Sequence, residues 1–371
     1  MKENINIFRF LLLWPLSLLY GFGISIRNFC YENKILKSKE YDLPIISIGN
    51  LSVGGTGKTP HTEFLIKMLR DEFSVAVLSR GYKRKTKGFR LVETENTHFE
   101  AGDEPLQIKK KFPNSIVAVC ESRTDGVDKL KDLYPELNLI ILDDAFQHRK
   151  ISPGLSILLN NYNHPIAKDY LLPLGMLRET RSASYRAHIV IYSKCPHNLK
   201  PIERRIMSKE IDIRPFQHLF FSTLEYLDLQ PVFNNSETIS IDKLKDYNIL
   251  ALSGIARSKS FTDFLKSKYK TVKHLKFPDH HNFTLKDITK IEKTFFETNE
   301  QKIIITTEKD AIRLKSTDLF SEEIKKYVYC VPIEVKLLCS DDERKEFDNQ
   351  IFSYVRNNKR YSKLYKNSYS E

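Results

Sequence analysis

Three groups of residues could do chemistry in this chain. The first is Ser52-Val53-Gly54-Gly55-Thr56-Gly57-Lys58-Thr59. Its end, Gly-Lys-Thr, matches the end of a phosphate-binding loop, although Ser52 stands where that loop usually starts with glycine. The glycines allow backbone N–H groups to turn inward around an anion. Lys58 can reach terminal phosphates and Thr59 can offer its hydroxyl to Mg²⁺. The second group is Asp143-Asp144, which ends the apolar run "LIILDD". The third is a set of acids and histidines far apart in sequence: Asp103-Glu104 in "GDEP", and Asp279, His280 and His281 in "FPDHHNF". An acid and a histidine that meet in space can form a base and its orienter for deprotonating a hydroxyl.

Each group also has a bland reading. A glycine-rich turn can imitate a phosphate loop. Asp103-Glu104 could be the acidic start of a helix, and His280-His281 a polar surface loop. Arg178-Glu179 in "LPLGMLRET" and the acids of "TTEKDAIRL" are, on composition alone, charged turns and helix starts. The flanking elements decide for the loop. "PIISIGN" before it reads as a short apolar strand, and "KTPHTEFLIKML" after it reads as a helix with Pro60 in its tolerant first turn. Strand, glycine loop and helix form the context a phosphate cradle needs.

Further short apolar runs alternate with helical stretches: "SVAVLSRGY", "SIVAVCES", "LNLIILDD", "LSILLNNY" and "AHIVIYSK". The expected fold is α/β, a P-loop NTPase-type doubly wound, mainly parallel sheet with a second, smaller α/β domain. In such a sheet, carboxylates at a strand's carboxyl end sit where ligands bind. That places Asp143-Asp144 beside the loop, with a role toward Mg²⁺.

The amino end differs. Phe10 to Ile26 runs 17 residues without a charge. That is about 25 Å of helix, short of a hydrocarbon core of about 30 Å. Pro15, Gly21 and Gly23 interrupt it, Trp14 and Tyr20 suit an interface, and Arg27, Lys34, Lys37 and Lys39 follow. A helix lying on or dipping into an anionic membrane face is expected. The expected division is 1–35 for this membrane-associated helix and 36–217 for the kinase-type domain. A smaller α/β domain with an extended linker ribbon spans 218–350, and a basic tail spans 351–371.

The formal charge is +12, spread along the chain. A basic surface can serve nucleic acid, anionic lipid or a phosphorylated substrate, but no nucleic-acid-binding motif accompanies it, and most of these charges read as a solvated surface; no nucleic-acid partner is expected. The five cysteines form no CxxC pair, which points to buried thiols rather than zinc.

Taken in order, "NLSVGGTGKTP", "LSRGYKR", "GDEP", "DDAFQHR", "LPLGMLRE", "SKCP", "LSGIARSKSF", "FPDHHNF" and "TTEKDAIRL" resemble the tetraacyldisaccharide 4'-kinases of Gram-negative bacteria, from the amino-terminal helix to about Leu314. That family carries Ser or Thr at the position of Ser52. The resemblance implies transfer of the γ-phosphate of ATP to the 4'-hydroxyl of an acylated glucosamine disaccharide 1-phosphate. The product is lipid IVA, made at the cytoplasmic face of the inner membrane. It implies Asp103 as general base and His280, or its neighbour His281, as its partner. It implies Mg²⁺ near Thr59, Glu104, Asp143 and Asp144, and substrate or phosphate contacts from Arg178 and Glu179. The competing expectation is a membrane-associated P-loop ATPase of the partitioning type. Those carry lysine at the place of Val53.

Overall fold

The computed structural model describes residues 7–233, 237–297 and 301–357. Helix α1 (Ile7–Glu32) opens the chain. Then come β1 (Ile45–Asn50), α2 (Lys58–Leu69), β2 (Val75–Ser79), β3 (Arg90–Leu91), α3 (His98–Ala101), α4 (Asp103–Lys111), β4 (Ile116–Val119), α5 (Arg123–Leu133), β5 (Leu139–Asp143) and β6 (Leu155–Asn161). After β7 (Ile189–Ser193), α6 (Pro201–Ile211) and β8 (His218–Tyr226), the chain enters β9 (Gln230–Pro231) and β10 (Asn248–Ser253). It continues through α7 (Lys259–Lys268), β11 (Thr271–Lys276), α8 (Leu285–Phe296), β12 (Lys302–Thr307), α9 (Glu308–Thr317), α10 (Glu322–Lys325) and β13 (Val328–Val331). Strand β14 (Ile333–Leu337) and helix α11 (Asp341–Arg356) close it.

The strands form two sheets. The first has nine, in the order β14-β8-β7-β6-β1-β5-β2-β4-β3, parallel except at the two edges. The second has five, β11-β10-β12-β13-β9, with only β9 antiparallel. Strands β1, β2, β5, β6 and β7 are buried along their whole lengths. A parallel strand covered by helices on both faces has no solvent side, which is why these runs read as continuous rather than alternating apolar sequence.

The observed bodies differ from the expected boundaries. Strand β8 pairs with β7, and β14 pairs with β8. Residues 218–226 and 333–337 therefore belong to the first sheet. Helix α11 belongs there too: Phe347, Ile351 and Val355 are fully buried in the first core, and Phe347 packs against Phe64 and Phe220. So 351–356 are the last turns of a core helix rather than a tail; 358–371 lie outside the described residues. The second body is the five-stranded sheet with its helices. Two crossings join it to the first, from β8 to β9 and from β13 to β14.

Helix α1 has 26 residues with Pro15 inside it, or about 39 Å of length. By length and composition it could cross a membrane. One side is tied down. Ser17 Oγ donates to Leu171 O at 2.9 Å, Tyr20 Oη to Arg178 O at 2.8 Å, and Asn28 Nδ2 to Glu179 Oε2 at 3.1 Å. The other side leaves Phe8, Leu11, Leu12, Leu19 and Phe22 exposed, Leu12 at 71%.

Two local features hold the site's elements together. Gly49 in β1 lies against the turn that follows β5, where a Cβ would fall 2.9 Å from Phe146 N and 2.8 Å from its Cβ. Only glycine lets that turn lie so close to β1. His61 in α2 is buried, with Nδ1 2.7 Å from Gly57 O and Nε2 2.9 Å from Ser222 Oγ on β8. The carbonyl requires hydrogen on Nδ1, and Ser222 Oγ can serve Nε2 or Tyr192 O, which lies 3.4 Å from it. Burial, opposed in part by the Gly57 bond, pushes its pKa down to about 4.

Gly49→Ala should lower the unfolding free energy by about 1–3 kcal/mol through overpacking. An unchanged denaturant midpoint would contradict the close approach. For His61 the unfolded ring takes a proton near pH 6.5 and the folded ring only near 4. Stability should therefore fall as pH drops through that window, by roughly 3 kcal/mol at most. The slope of unfolding free energy against pH between 4 and 6.5 should be shallower in His61→Gln.

Candidate active site

The phosphate loop is built as the spacing predicts. Strand β1 runs into Leu51, and the loop ends at Gly57, which caps α2 in a left-handed conformation with φ 88°. Gly54 is also left-handed, at φ 108°. Side chains with a Cβ resist both conformations. The loop is braced from outside. Val53 N donates to Met176 O at 2.7 Å, and Arg178 N donates to Leu51 O at 2.7 Å. Ser52 pairs with Leu177 as an antiparallel bridge. "LPLGMLRE" is thus a splint for the loop's first half. Asn50 Nδ2 donates to Thr56 Oγ1 at 2.9 Å, Ser193 Oγ to Thr56 O at 2.7 Å, and Asn161 Nδ2 to Gly55 O at 3.4 Å.

The carboxyl end of β5 faces this loop. Asp143 is fully buried. Its Oδ1 accepts from Thr62 Oγ1 at 3.1 Å, and its Oδ2 has no partner. Burial and the neighbouring charges of Glu104 and Asp144 push its pKa up to about 7. Asp144 sits in a left-handed turn, 3.7 Å from Lys58 Nζ and 3.3 Å from Arg178 Nη1. A buried, unpartnered carboxylate oxygen amid like charges is a place for a cation. Among the described residues no three His, Cys, Asp or Glu side chains form a ready-made cage. Mg²⁺ does not need one, because it is held by one or two carboxylates together with phosphates and water. Asp143, Asp144, Thr59 and Glu104 fit that pattern.

Helix α4 begins with Asp103-Glu104, and both acids are met from the second body. The Asp103 carboxylate accepts from His280 Nδ1 at 2.9 Å and from Arg313 Nε at 2.9 Å, with a further short bond from Arg313 Nη2. All three donors reach the same oxygen, Oδ2. Arg313 Nη2 also lies 3.3 Å from His280 Nδ1. The Nδ1 hydrogen points at the carboxylate, so this approach is a close neighbour and not a second bond. Burial opposes ionisation of Asp103, but the bonds from His280 and Arg313 outweigh it and hold the carboxyl well below the usual carboxylate range. Glu104 is ion-paired with Lys309 of α9. There too burial is outweighed, by Lys309 and Lys58, and the pKa falls to about 2.

Of the two histidines the sequence left open, His280 meets Asp103. His281 Nε2 is 2.9 Å from Asp287 Oδ2 at the start of α8. His280 is left-handed at φ 57°, and its N–H donates to Gly254 O at 3.0 Å. Glu179 lies elsewhere than expected. It is fully buried beneath α1, 2.9 Å from Arg186 and 3.1 Å from Asn28. Its place is that of an anchor for the helix, whereas Arg178 faces Asp144.

Sequence reading missed four cations. Lys309 and Arg313 lie in "TTEKDAIRL", whose acids drew attention as a helix start. The i, i+3 spacing of Asp310 and Arg313, paired at 2.8 Å, was the available signal. Lys194, from "SKCP", is left-handed at φ 61°, and a Cβ built on Gly55 would lie 3.9 Å from its Nζ. Burial, then Arg257, Lys309 and Lys58, lower its pKa to about 8. The Arg257 guanidinium lies over Gly54, with Nη2 3.6 Å from where a Cβ would be. The second body therefore brings a cation to the phosphate loop as well as a histidine to Asp103.

The chain as a whole is similar to known proteins. The family model described as tetraacyldisaccharide-1-P 4'-kinase matches residues 9–355. The tetraacyldisaccharide 4'-kinase of Phocaeicola vulgatus is 44% identical over 354 residues, covering 94% of this chain and 96% of that protein. The one from Flavobacterium johnsoniae is 42% identical over 348 residues, covering 94% and 97%. The solved structure of LpxK from Aquifex aeolicus, in complex with ATP, is similar with a TM-score of 0.72 at 32% identity. It covers 94% of this chain and 99% of that one. A match that spans both bodies, joined to a phosphate loop that faces an Asp–His pair, places this chain in the tetraacyldisaccharide-1-P 4'-kinase family.

Proposed function

We propose that this chain transfers the γ-phosphate of ATP to the 4'-hydroxyl of an acylated glucosamine disaccharide 1-phosphate, giving lipid IVA. The observation that carries this reading is the Asp103–His280 pair, next in sequence to Glu104, whose charge is felt by Lys58 of a complete phosphate loop. A water-hydrolysing ATPase of the partitioning type is not favoured: Val53 stands where those proteins carry lysine, and such a switch has no use for a base aimed at a sugar hydroxyl.

In this reading the phosphates lie along the amides from Gly54 to Thr59, and Lys58 spans the β- and γ-phosphates. Thr59, Asp143, Asp144 and Glu104 would hold Mg²⁺, directly or through water. The ion supplies charge neutralisation on the transferring group. Arg178 steadies Asp144 and faces the acceptor's side of the loop. The 4'-hydroxyl oxygen attacks the γ-phosphorus as the bond to the β,γ-bridging oxygen breaks, and its proton passes to Asp103. A sugar hydroxyl has a high pKa, so the proton moves late and a carboxylate of low basicity suffices. Placement and charge then provide most of the acceleration.

The lipid acceptor also gives α1 a purpose. Its exposed apolar side and the cations that follow, Lys34 and Lys37, suit an anionic leaflet. Its bonds to the catalytic body suit a helix held flat beside the site. The location that follows is the cytoplasmic face of the inner membrane.

With radiolabelled ATP, Mg²⁺ and the acylated disaccharide 1-phosphate, label should appear in lipid. Asp103→Asn should lower kcat by about 10²–10⁴-fold. No lipid label from the unmutated protein would end the kinase reading. For the membrane, Leu19→Glu with Phe22→Glu should weaken co-sedimentation with anionic vesicles roughly tenfold or more. Equal binding by the variant would show that the exposed side of α1 is not the contact.

A further inference from the structure

Arg313 is the most deeply buried cation of the site, with its side chain 1% exposed. Three groups share its guanidinium, through four hydrogen bonds. Nε and Nη2 donate to Asp103 Oδ2, while Nη1 donates to Asp310 Oδ1 at 2.8 Å and to Gly254 O at 2.9 Å. Each of these partners is itself fixed. Asp310 Oδ2 accepts from Gly254 N at 2.9 Å and from Thr307 Oγ1 at 2.7 Å. Gly254 O also accepts the backbone N–H of His280. There is no slack at Gly254, where a Cβ would meet Asp310 Oδ1 at 3.0 Å and Pro278 O at 3.2 Å. The arginine therefore joins the end of β10, the start of α9 and the His280 turn into one rigid unit, and clips Asp103 of the other body to it.

The clip is also directional. Every side-chain donor to Asp103 among the described residues reaches Oδ2, and Oδ1 is not among the buried oxygens left without a partner. Saturating one oxygen leaves the other to face the acceptor. A single histidine bond would leave the carboxyl free to swing about that contact. A planar guanidinium that donates from two nitrogens, and is held behind by Asp310, removes that freedom.

Resting on the kinase reading, we propose that Arg313 is a positioning residue for phosphoryl transfer, which holds Asp103 with Oδ1 toward the acceptor hydroxyl and ties that orientation to the body carrying His280. It touches neither ATP nor the lipid. Its effect runs through Asp103, and that separates it from a merely structural arginine.

The test is a double-mutant cycle on the full chain, with label transfer from ATP to the acylated disaccharide 1-phosphate as readout. Arg313→Gln should lower kcat by about 100-fold while KM for ATP changes by less than about threefold. Arg313→Lys should recover about tenfold of that loss, since it keeps a donor and the charge. In an Asp103→Asn background, Arg313→Gln should cost less than about threefold, because the group it positions is gone. Equal fractional losses in both backgrounds, or a KM for ATP that rises as far as kcat falls, would overturn the proposal. If Arg313→Gln does not fold, Asp310→Asn loosens the guanidinium from behind and enters the same cycle. Absence of transfer by the unmutated protein removes the kinase reading and this inference with it. Transfer with additive losses removes the inference alone.

Discussion

Two adjacent carboxylates at the start of α4, each matched by a cation on α9, are the interaction on which the rest of this structure depends. Asp103 pairs with Arg313 and Glu104 with Lys309. Neither acid belongs to the same sheet as its partner. A buried carboxylate left alone loses its hydration without return, so separating the bodies exposes or strands both charges. The pairs thus make the contact between the two bodies specific: α9 meets α4 in one register. The same register brings His280 to Asp103 and Arg257 over Gly54. The geometry of the candidate site is a consequence of how the two bodies are keyed together.

The key is reinforced at the other end of α4. Lys111, at the far end of α4, bridges Glu63 of α2 at 2.7 Å and Glu308 of α9 at 3.3 Å, and donates to Ile333 O at 3.3 Å. Ile333 begins β14, one residue after the chain leaves β13. One lysine thereby holds the phosphate-loop helix, the α9 start and the return crossing. Helix α4 is therefore pinned at both ends, by Asp103 and Glu104 at its start and by Lys111 at its finish.

Local chemistry was legible in the sequence, and pairing at a distance was not. The phosphate loop announced itself because strand, glycines and helix are contiguous, and Asp143-Asp144 because a buried parallel strand is a solid apolar run. The boundaries at 218 and 351 were misplaced for a physical reason. Strand β14 follows β13 with only Pro332 between them, yet it pairs with β8 in the other sheet. No composition shift marks that switch. Helix α11 reads as polar, because its core side is only Phe347, Ile351 and Val355 in a charged sequence. Glu179 was legible as a member of a motif but not in its place: the acid lies under α1, and nothing in "LRE" says which of its charges points inward. Arg313 was hidden by its company, since an arginine at the sixth position of a helix with a charged start is usually solvated.

The electrostatics of the site divide its acids by task. Asp103 and Glu104 are held ionised by cations from the other body, whereas Asp143 is pushed toward neutrality by burial and by its acidic neighbours. A proton acceptor with depressed basicity is a poor base only if the proton must leave before the new bond forms. In phosphoryl transfer it leaves late, from an oxygen already made acidic by bonding to phosphorus. The arrangement therefore spends its binding on orientation and not on basicity. Asp143 is the complementary case. Its strain is relieved by positive charge arriving at its free oxygen, so the same burial that disfavours the empty carboxylate favours a cation there. The first pair is fixed in orientation by the second body, and the second acid is left with a free oxygen amid negative charge.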